Sequence, residues 1–153
     1  MKIIELLDPK CIVPNLQAVN KRGVLEELAA VLVSGHKEVN LQTVVEVLLD
    51  RERLGSTGIG DNIAIPHGKL PQLSGMLLAF GRSVKGVDFD SIDGKPSHLF
   101  FLLLAPANST GLHLKALAKI SRMLMSQVFR DSLMGSGGTE EILRLIAEKD
   151  AEF

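Results

Sequence analysis

His67 lies in a segment whose residue types and spacing indicate chemistry. Residues 51–69 read RERLGSTGIGDNIAIPHGK, and three glycines within six residues allow tight turns and close approach to a ligand. Pro66 fixes its own φ and Gly68 leaves space beside the imidazole, so the segment is predicted to hold His67 stiffly at the end of a short strand. At its unperturbed pKa of about 6.5, roughly three-quarters of the histidine population at pH 7 carries the neutral imidazole, which is the nucleophilic form. The segment therefore predicts phosphoryl transfer through His67.

Two other side chains offer what a phosphoryl group needs, which is positioning and donors near its equatorial oxygens. Arg51, at the predicted end of a helix, carries a planar fork of N–H donors. His113, in the opening turn of a later helix, adds a donor near a helix N-terminus, which favours anions. Residue types alone leave ordinary alternatives open. His67 could be a hydrogen-bonded surface histidine, the glycine-rich segment could be a plain turn, and Arg51 could be a solvated charge at the end of a helix. Further candidates for phosphate contact are the loop residues Ser56, Thr57, Gly58 and Gly68.

Other kinds of site are not supported by the motifs. Gly55–Gly60 lacks the spacing of the dinucleotide-binding fingerprint, and the chain contains neither a GxxxxGK[ST] phosphate loop nor an HExxH metal motif. Paired cysteines are also absent, so we expect no metal site and no cofactor. His36 and His98 lack a comparable setting and are interpreted as structural, and Cys11 is interpreted as a small packed hydrophobic residue.

Composition limits the classes of protein that the chain could represent. With 153 residues, 46% hydrophobic and 23% charged, it is predicted to fold as one domain spanning residues 1–153. A net charge of -1 without a basic run argues against nucleic-acid binding. The longest apolar runs are too short for membrane insertion, and the N-terminus does not resemble a signal peptide. One unpaired cysteine fits a cytoplasmic protein.

Helical and strand patterns alternate along the chain, which predicts an α/β or α+β fold. Asn20 and Asn40 are predicted to cap the first two helices. For the third helix, the predicted buried face comprises Leu114, Leu117, Ala118, Ser121, Leu124 and Met125. The predicted helices are 21–34, 41–53, 111–127 and one that starts at Thr139; the predicted strands are 76–80 and 99–104, with weaker candidates at 12–19 and 63–65.

Three segments together resemble a known family. Residues 56–69, residues 87–96 (VDFDSIDGKP) and residues 111–122 (GLHLKALAKISR) occur in the order found in enzyme IIA of the bacterial phosphotransferase system, fructose/mannitol type. Residues 87–96 resemble the nitrogen-regulatory branch in particular. The likeness extends from about Ile3 to Ala147. One departure is Asn62, where relatives often carry glycine; asparagine tolerates a left-handed backbone, so the same turn is expected.

The resemblance implies a single α/β domain with a mixed, mostly parallel sheet of about five strands and helices on both faces. It implies that Nε2 of His67 accepts a phosphoryl group from phosphohistidine on the carrier HPr or its nitrogen-branch counterpart. Arg51 and His113 match the positions that line the family's site. Neither a nucleotide nor a metal is implied, because phosphoenolpyruvate is the ultimate donor.

Two functions share this predicted site. In a regulatory protein, phosphorylation of His67 alters binding to target proteins; in a transport component, the group passes to a cysteine of an enzyme IIB and then to sugar. The resemblance of residues 87–96 to the nitrogen-regulatory branch favours regulation. A module that is never phosphorylated is a third alternative.

Overall fold

A six-stranded mixed sheet forms the centre of the fold in the computed structural model, which describes residues 1–153. After a 3₁₀ turn at Ile3–Leu6, the elements are β1 (Leu7–Val13), α1 (Lys21–Val33), α2 (Leu41–Arg53), β2 (Gly58–Gly60), β3 (Ile63–Ala64), β4 (His67–Leu70), β5 (Leu77–Val87), β6 (Ser97–Pro106), α3 (Thr110–Leu124), α4 (Gln127–Gly135) and α5 (Thr139–Asp150). None of these helices has the length and apolar character needed to cross a bilayer.

Strand β6 is the central strand of the sheet. The order is β1-β5-β6-β3-β2, and β4 also pairs with β6. The β1–β5, β3–β6 and β4–β6 pairs are parallel, whereas β5–β6 and β2–β3 are antiparallel. Residues 99–105 of β6 are all fully buried. Because successive strand residues point to opposite faces, both faces of the sheet must be covered, which confirms the α/β class with helices on both sides.

Strand boundaries differ from the predictions where polar residues enter a strand. The strand predicted at 76–80 continues to Val87, because Arg82 and Ser83 are buried despite their polarity. The weak candidate at 12–19 was mostly wrong: the strand is Leu7–Val13, and its exposed residues Asp8 to Lys10 hide the pattern. The predicted strand at 63–65 is present as Ile63–Ala64.

The first two helices agree closely with the sequence. The Asn20 side chain accepts a hydrogen bond from the backbone N–H of Gly23 at 2.8 Å, and Asn40 accepts one from Thr43 at 3.2 Å. These bonds satisfy backbone donors that a helix N-terminus leaves unpaired. The first helix ends one residue earlier than predicted, the second ends at Arg53 as predicted, and the last begins at Thr139 as predicted.

The third helix shows the largest error. It stops at Leu124, and a separate helix, α4, starts at Gln127 with Ser126 as its cap. The predicted buried face was wrong in part: Leu114 is 61% and Met125 78% exposed, and Ala118 is exposed as well. Leu124 is buried and Leu117 packs against the core, as predicted. The buried side of α3 carries two polar residues, which the apolar pattern does not count; its members are His113, Ala116, Lys119, Ile120, Met123 and Leu124.

The turn between β2 and β3 adopts the backbone expected for Asn62. Asp61 and Asn62 have φ values of 53° and 77°, in the left-handed region that asparagine and aspartate tolerate better than most residues. Nδ1 of His98 hydrogen-bonds to the Asn62 side chain, so His98 supports this turn, in agreement with its structural interpretation. Cys11 is buried as predicted, with Sγ 3.6 Å from the carbonyl oxygen of Val31.

Candidate functional site

His67 is held in a cleft formed by α2, β4 and the start of α3. It is the first residue of β4, just after the break that follows β3, rather than at the end of a strand as predicted. Its Nδ1 lies 2.8 Å from the carbonyl oxygen of Ile65. A carbonyl accepts hydrogen bonds only, so Nδ1 must carry the proton and Nε2 keeps its lone pair. The backbone thus selects the tautomer in which Nε2 is the nucleophile.

Arg51 contacts His67 from the last turn of α2. Its Nε lies 3.3 Å from Nε2 of His67, and its NH1 donates to the carbonyl oxygen of Gly55 at 2.9 Å. The guanidinium is therefore fixed at two points, one on the imidazole and one on the glycine-rich loop. This arrangement places a permanent positive charge beside the atom that has the free lone pair.

His113 also lies next to His67, in the first turn of α3. The two imidazole centroids are 5.4 Å apart, with an interplanar angle of 72°. His113 is buried, and its Nε2 has no hydrogen-bond partner. A buried polar atom without a partner is unusual and calls for an explanation. The structure therefore brings together the three residues that were predicted from sequence to form the site.

Lys69 and Thr110 also line the cleft and were missed by the sequence analysis. Nζ of Lys69 donates to Oγ1 of Thr110 at 2.8 Å, which ties β4 to the first residue of α3. The strand period could have revealed Lys69, because residues two apart on a strand share a face and Lys69 follows His67 by two. No local pattern indicates Thr110, whose place depends on how α3 packs.

Burial keeps both imidazoles of the cleft uncharged. It lowers the pKa of His67, and the Arg51 guanidinium lowers it further, while the hydrogen bond to Ile65 and the Glu52 carboxylate oppose the change. Burial, together with His67 and Lys69, lowers the pKa of His113 to about 4. Neutral His67 at neutral pH is the form that can attack an electrophile.

Three of the four loop candidates do not line the cleft, which corrects the expectation that they contact phosphate directly. The Ser56 hydroxyl donates to the carbonyl oxygen of Phe89 at 2.6 Å, and Thr57 is buried with its hydroxyl bound to Glu52. Gly58 lies in β2, where a Cβ would stand 3.0 Å from Cα of Ser91. These residues shape the loop and leave no polar side chain free for a ligand.

Gly68 does line the cleft, and its lack of a side chain lets α2 approach β4. A Cβ at this position would lie 2.7 Å from Cγ1 of Val47, closer than real Cβ contacts allow. Arg51 follows Val47 by one helical turn, so the approach at Gly68 helps determine where the guanidinium stands. The glycine therefore matters for packing beside the imidazole, as the sequence suggested.

We expect Gly68→Ala to destabilise the fold by about 1–3 kcal/mol, because the added methyl overpacks a contact between two regular elements. Chemical denaturation measures the change. Gly75→Ala is the matched control, because nothing lies within 4 Å of a Cβ there. Equal stability of the two variants would show that α2 has more room to move than the packing indicates.

Comparison with known proteins agrees with this geometry. Residues 5–149 match the family described as "Phosphoenolpyruvate-dependent sugar phosphotransferase system, EIIA 2". A nitrogen regulatory protein of Bradyrhizobium diazoefficiens is 43% identical over 149 residues, which cover 96% of this chain and 95% of that protein. The fructose-specific EIIABC component of Bacillus subtilis is 39% identical over 150 residues, which cover 98% of this chain but 24% of that longer protein.

A solved structure with the same fold also carries a nitrogen-regulatory name. The nitrogen regulatory protein IIA-Ntr of Neisseria meningitidis superposes with a TM-score of 0.89 at 36% identity, covering 94% of this chain and 98% of that one. The sequence match and the structural match each span most of the chain. On these grounds the chain belongs to the EIIA 2 family of the phosphoenolpyruvate-dependent phosphotransferase system.

Proposed function

We propose that the chain is a phosphoryl carrier whose His67 accepts a phosphoryl group from phosphohistidine on HPr or its nitrogen-branch counterpart. The observation that carries the proposal is the Nδ1 bond to Ile65, which leaves Nε2 free to attack in a cleft beside Arg51. The lone pair of Nε2 forms the new bond to phosphorus, and the bonding pair of the donor N–P bond returns to the donor imidazole. The positive charge left on the His67 ring is stabilised by its Nδ1–H bond to Ile65.

Arg51 has two roles in this proposal. In the free protein its Nε–H points at the attacking lone pair, so this bond must be given up when the phosphoryl group arrives. The guanidinium donors then turn to the phosphoryl oxygens, which carry the negative charge during transfer. The distance of 3.3 Å is long for such a bond, so little is lost when it breaks.

His113 is proposed to donate to the phosphoryl oxygens or to orient His67 without bonding to phosphorus. Its pKa of about 4 makes the ring neutral at pH 7, with one N–H to donate. The unpartnered Nε2 and the ring separation of 5.4 Å support this role, because a group on His67 would stand next to a buried atom that has no partner.

The rim of the cleft supports a protein as the phosphoryl donor and acceptor. Leu54 is 84% exposed, Leu114 61% and Leu112 52%, and the first two line the cleft itself. Exposed leucines around a cationic centre suit docking of another protein that brings a phosphoryl group, since apolar contacts supply affinity and the cations hold the anion. This surface also explains why the predicted buried face of α3 was wrong.

A regulatory role is favoured over sugar transport. Most of the relatives of similar length carry nitrogen-regulatory names, including the one that is 43% identical, whereas a fructose-specific EIIA component of Haloferax volcanii, also of similar length, is 35% identical. The fructose-specific EIIABC component is a longer protein of which this chain covers 24%. The test is a relay of labelled phosphoenolpyruvate, enzyme I and HPr, followed by candidate enzyme IIB proteins. Phosphorylation at His67 without rapid transfer to any sugar-specific IIB cysteine supports a regulatory role. Rapid transfer to such a cysteine, together with a sugar-uptake defect when the gene is deleted, would favour sugar transport instead.

For Arg51→Lys, we expect phosphoryl transfer to slow by about tenfold or more, because the charge stays but the two-point fork is lost. The loss corresponds to one charge-assisted hydrogen bond of roughly 1.5 kcal/mol. Initial rates in the relay measure the change, and chemical denaturation checks that the free energy of unfolding is nearly unchanged. Arg53→Lys, on the same helix end but outside the cleft, is the control. Equal rates for parent and Arg51→Lys would exclude a phosphate-binding fork.

A further inference from the structure

Glu52 is a buried carboxylate next to Arg51 that lies outside the cleft. It is 9% exposed, and each of its partners comes from another segment of the chain. Oε1 accepts from Nζ of Lys21 at 2.9 Å and from the backbone N–H of Thr57 at 3.1 Å, and Oε2 accepts from the Thr57 hydroxyl. Burying a charge costs free energy unless it is well paired, so this network fixes the position of Thr57 strongly.

Thr57 connects this network to the carbonyl that holds His67. The carbonyl oxygen of Thr57 accepts a hydrogen bond from the N–H of Ile65 at 3.0 Å. The carbonyl oxygen of Ile65 in turn accepts the Nδ1–H of His67 at 2.8 Å. Thr57 is therefore held by Glu52 through both of its donors and holds Ile65 through its acceptor. Each link is short, so a shift of Thr57 moves the group that selects the His67 tautomer.

Glu52 also acts on His67 through its negative charge, which affects the pKa of the imidazole. Burial and Arg51 lower the pKa of His67, and a less basic imidazole is a weaker nucleophile. The negative charge of Glu52 raises the pKa and so offsets part of this loss. The one carboxylate that lines the cleft is Asp50, which is exposed to solvent.

A simpler interpretation is that Glu52 only ties helices together. Lys21 also lies 3.1 Å from Oδ2 of Asp90 and 4.8 Å from the centre of the Phe89 ring, so it would anchor α1 without Glu52. That interpretation accounts for the ion pair. It does not account for the binding of both Thr57 donors by one carboxylate, when Thr57 is itself joined to His67 by two hydrogen bonds through Ile65.

We propose that Glu52 is a positioning residue for phosphoryl transfer: through Thr57 and Ile65 it fixes the orientation and the Nδ1–H tautomer of His67. The part of this inference that concerns transfer rests on the function proposed above. The part that concerns the ring holds for the free protein and is measurable without any phosphoryl donor. Glu52 itself contacts no reacting atom.

The experiment compares the parent with Glu52→Gln, which keeps the shape of the side chain and removes its charge. Ring ¹⁵N chemical shifts of His67 report the tautomer, and a pH titration of the same signals reports its pKa. We expect a mixed tautomer and a pKa below that of the parent. In the relay, we expect transfer to slow by about tenfold, as when a charge-assisted bond that orients a catalytic group becomes a neutral one. Glu46→Gln removes one charge from the exposed face of the same helix and should match the parent.

Thr57→Val is the second variant, because it removes the hydroxyl link while the backbone link stays. We expect the same change of tautomer to a smaller extent, and transfer slower by about threefold. Parent-like ring signals in folded Glu52→Gln would overturn the proposal; if that variant does not fold, parent-like signals in Thr57→Val would do so. A parent that takes up no phosphoryl group refutes the proposed function instead, and the ring measurements still decide the role of Glu52.

Discussion

We expect His67→Ala to take up no label from phosphoenolpyruvate in the reconstituted relay, while the parent becomes labelled. The reason is chemical: the Nε2 lone pair is the nucleophile, and no other group in the cleft replaces it. His113 is the nearest alternative, but its ring is buried and its pKa of about 4 marks it as a weakly basic, poorer nucleophile. Arg51 and Lys69 are cationic and have no free lone pair at neutral pH.

The controls for this experiment are the two histidines outside the cleft. His36 contacts Glu38 on the surface, and His98 supports the turn at Asn62. The variants His36→Ala and His98→Ala are expected to accept label as the parent does. Acid lability of the label would identify an N–P bond, and peptide mapping would place it. Normal labelling of His67→Ala would refute both the acceptor and the proposed carrier function.

The centre of the site could be predicted because its signals are local. The Pro-His-Gly sequence, the helix that ends at Arg51 and the later histidine motif each occupy a few consecutive residues. The resemblance then supplied the link between His67 and His113, which lie on different elements and have no local signal of contact. The structure places the two rings 5.4 Å apart, as that link requires.

The parts that could not be predicted depend on tertiary contacts between polar residues. Thr57 looks like a phosphate-loop residue, but its hydroxyl is bound by Glu52, a partner that the local pattern does not identify. Arg82 reads as the end of a strand, yet it is buried because its guanidinium donates to the carbonyl oxygens of Leu133 and Ser136 at 2.9 Å and 2.7 Å. In each case a polar side chain is buried because its hydrogen bonds are satisfied by a residue outside its own strand or loop.

The face of α3 was mispredicted for a related reason that bears on function. The spacing of apolar residues predicts that Leu114 is buried, whereas the structure buries His113 and leaves Leu114 61% exposed at the cleft. A helix whose buried side carries a histidine and a lysine has a weak apolar stripe, so leucines on another face dominate the pattern. An apolar residue exposed at the cleft and a polar residue in the interior thus produced the same error.

Burial of His113 also makes the stability of the fold depend on pH. We expect the free energy of unfolding to fall by about 3 kcal/mol between pH 7 and pH 4 through this residue alone. Its pKa is 6.5 in the unfolded chain and about 4 in the folded one. Between these values the unfolded chain binds the proton first, so the stabilisation is complete above pH 6.5 and is lost as the pH falls towards 4.

The measurement is chemical denaturation of the parent and of His113→Gln at several pH values. Glutamine keeps a hydrogen-bond donor but does not titrate, so the difference in stability between the two proteins should shift by about 3 kcal/mol in favour of the variant on going from pH 7 to pH 4. Carboxylates and His67 are common to both proteins, so their contributions largely cancel in that difference. A difference that does not change with pH would mean that the pKa of His113 is the same in the folded and the unfolded chain.

In the relay at pH 7, His113→Gln is expected to retain part of the onward transfer that His113→Ala loses, because a neutral donor still faces the phosphoryl group. Equal rates for parent and His113→Ala would remove His113 from the site.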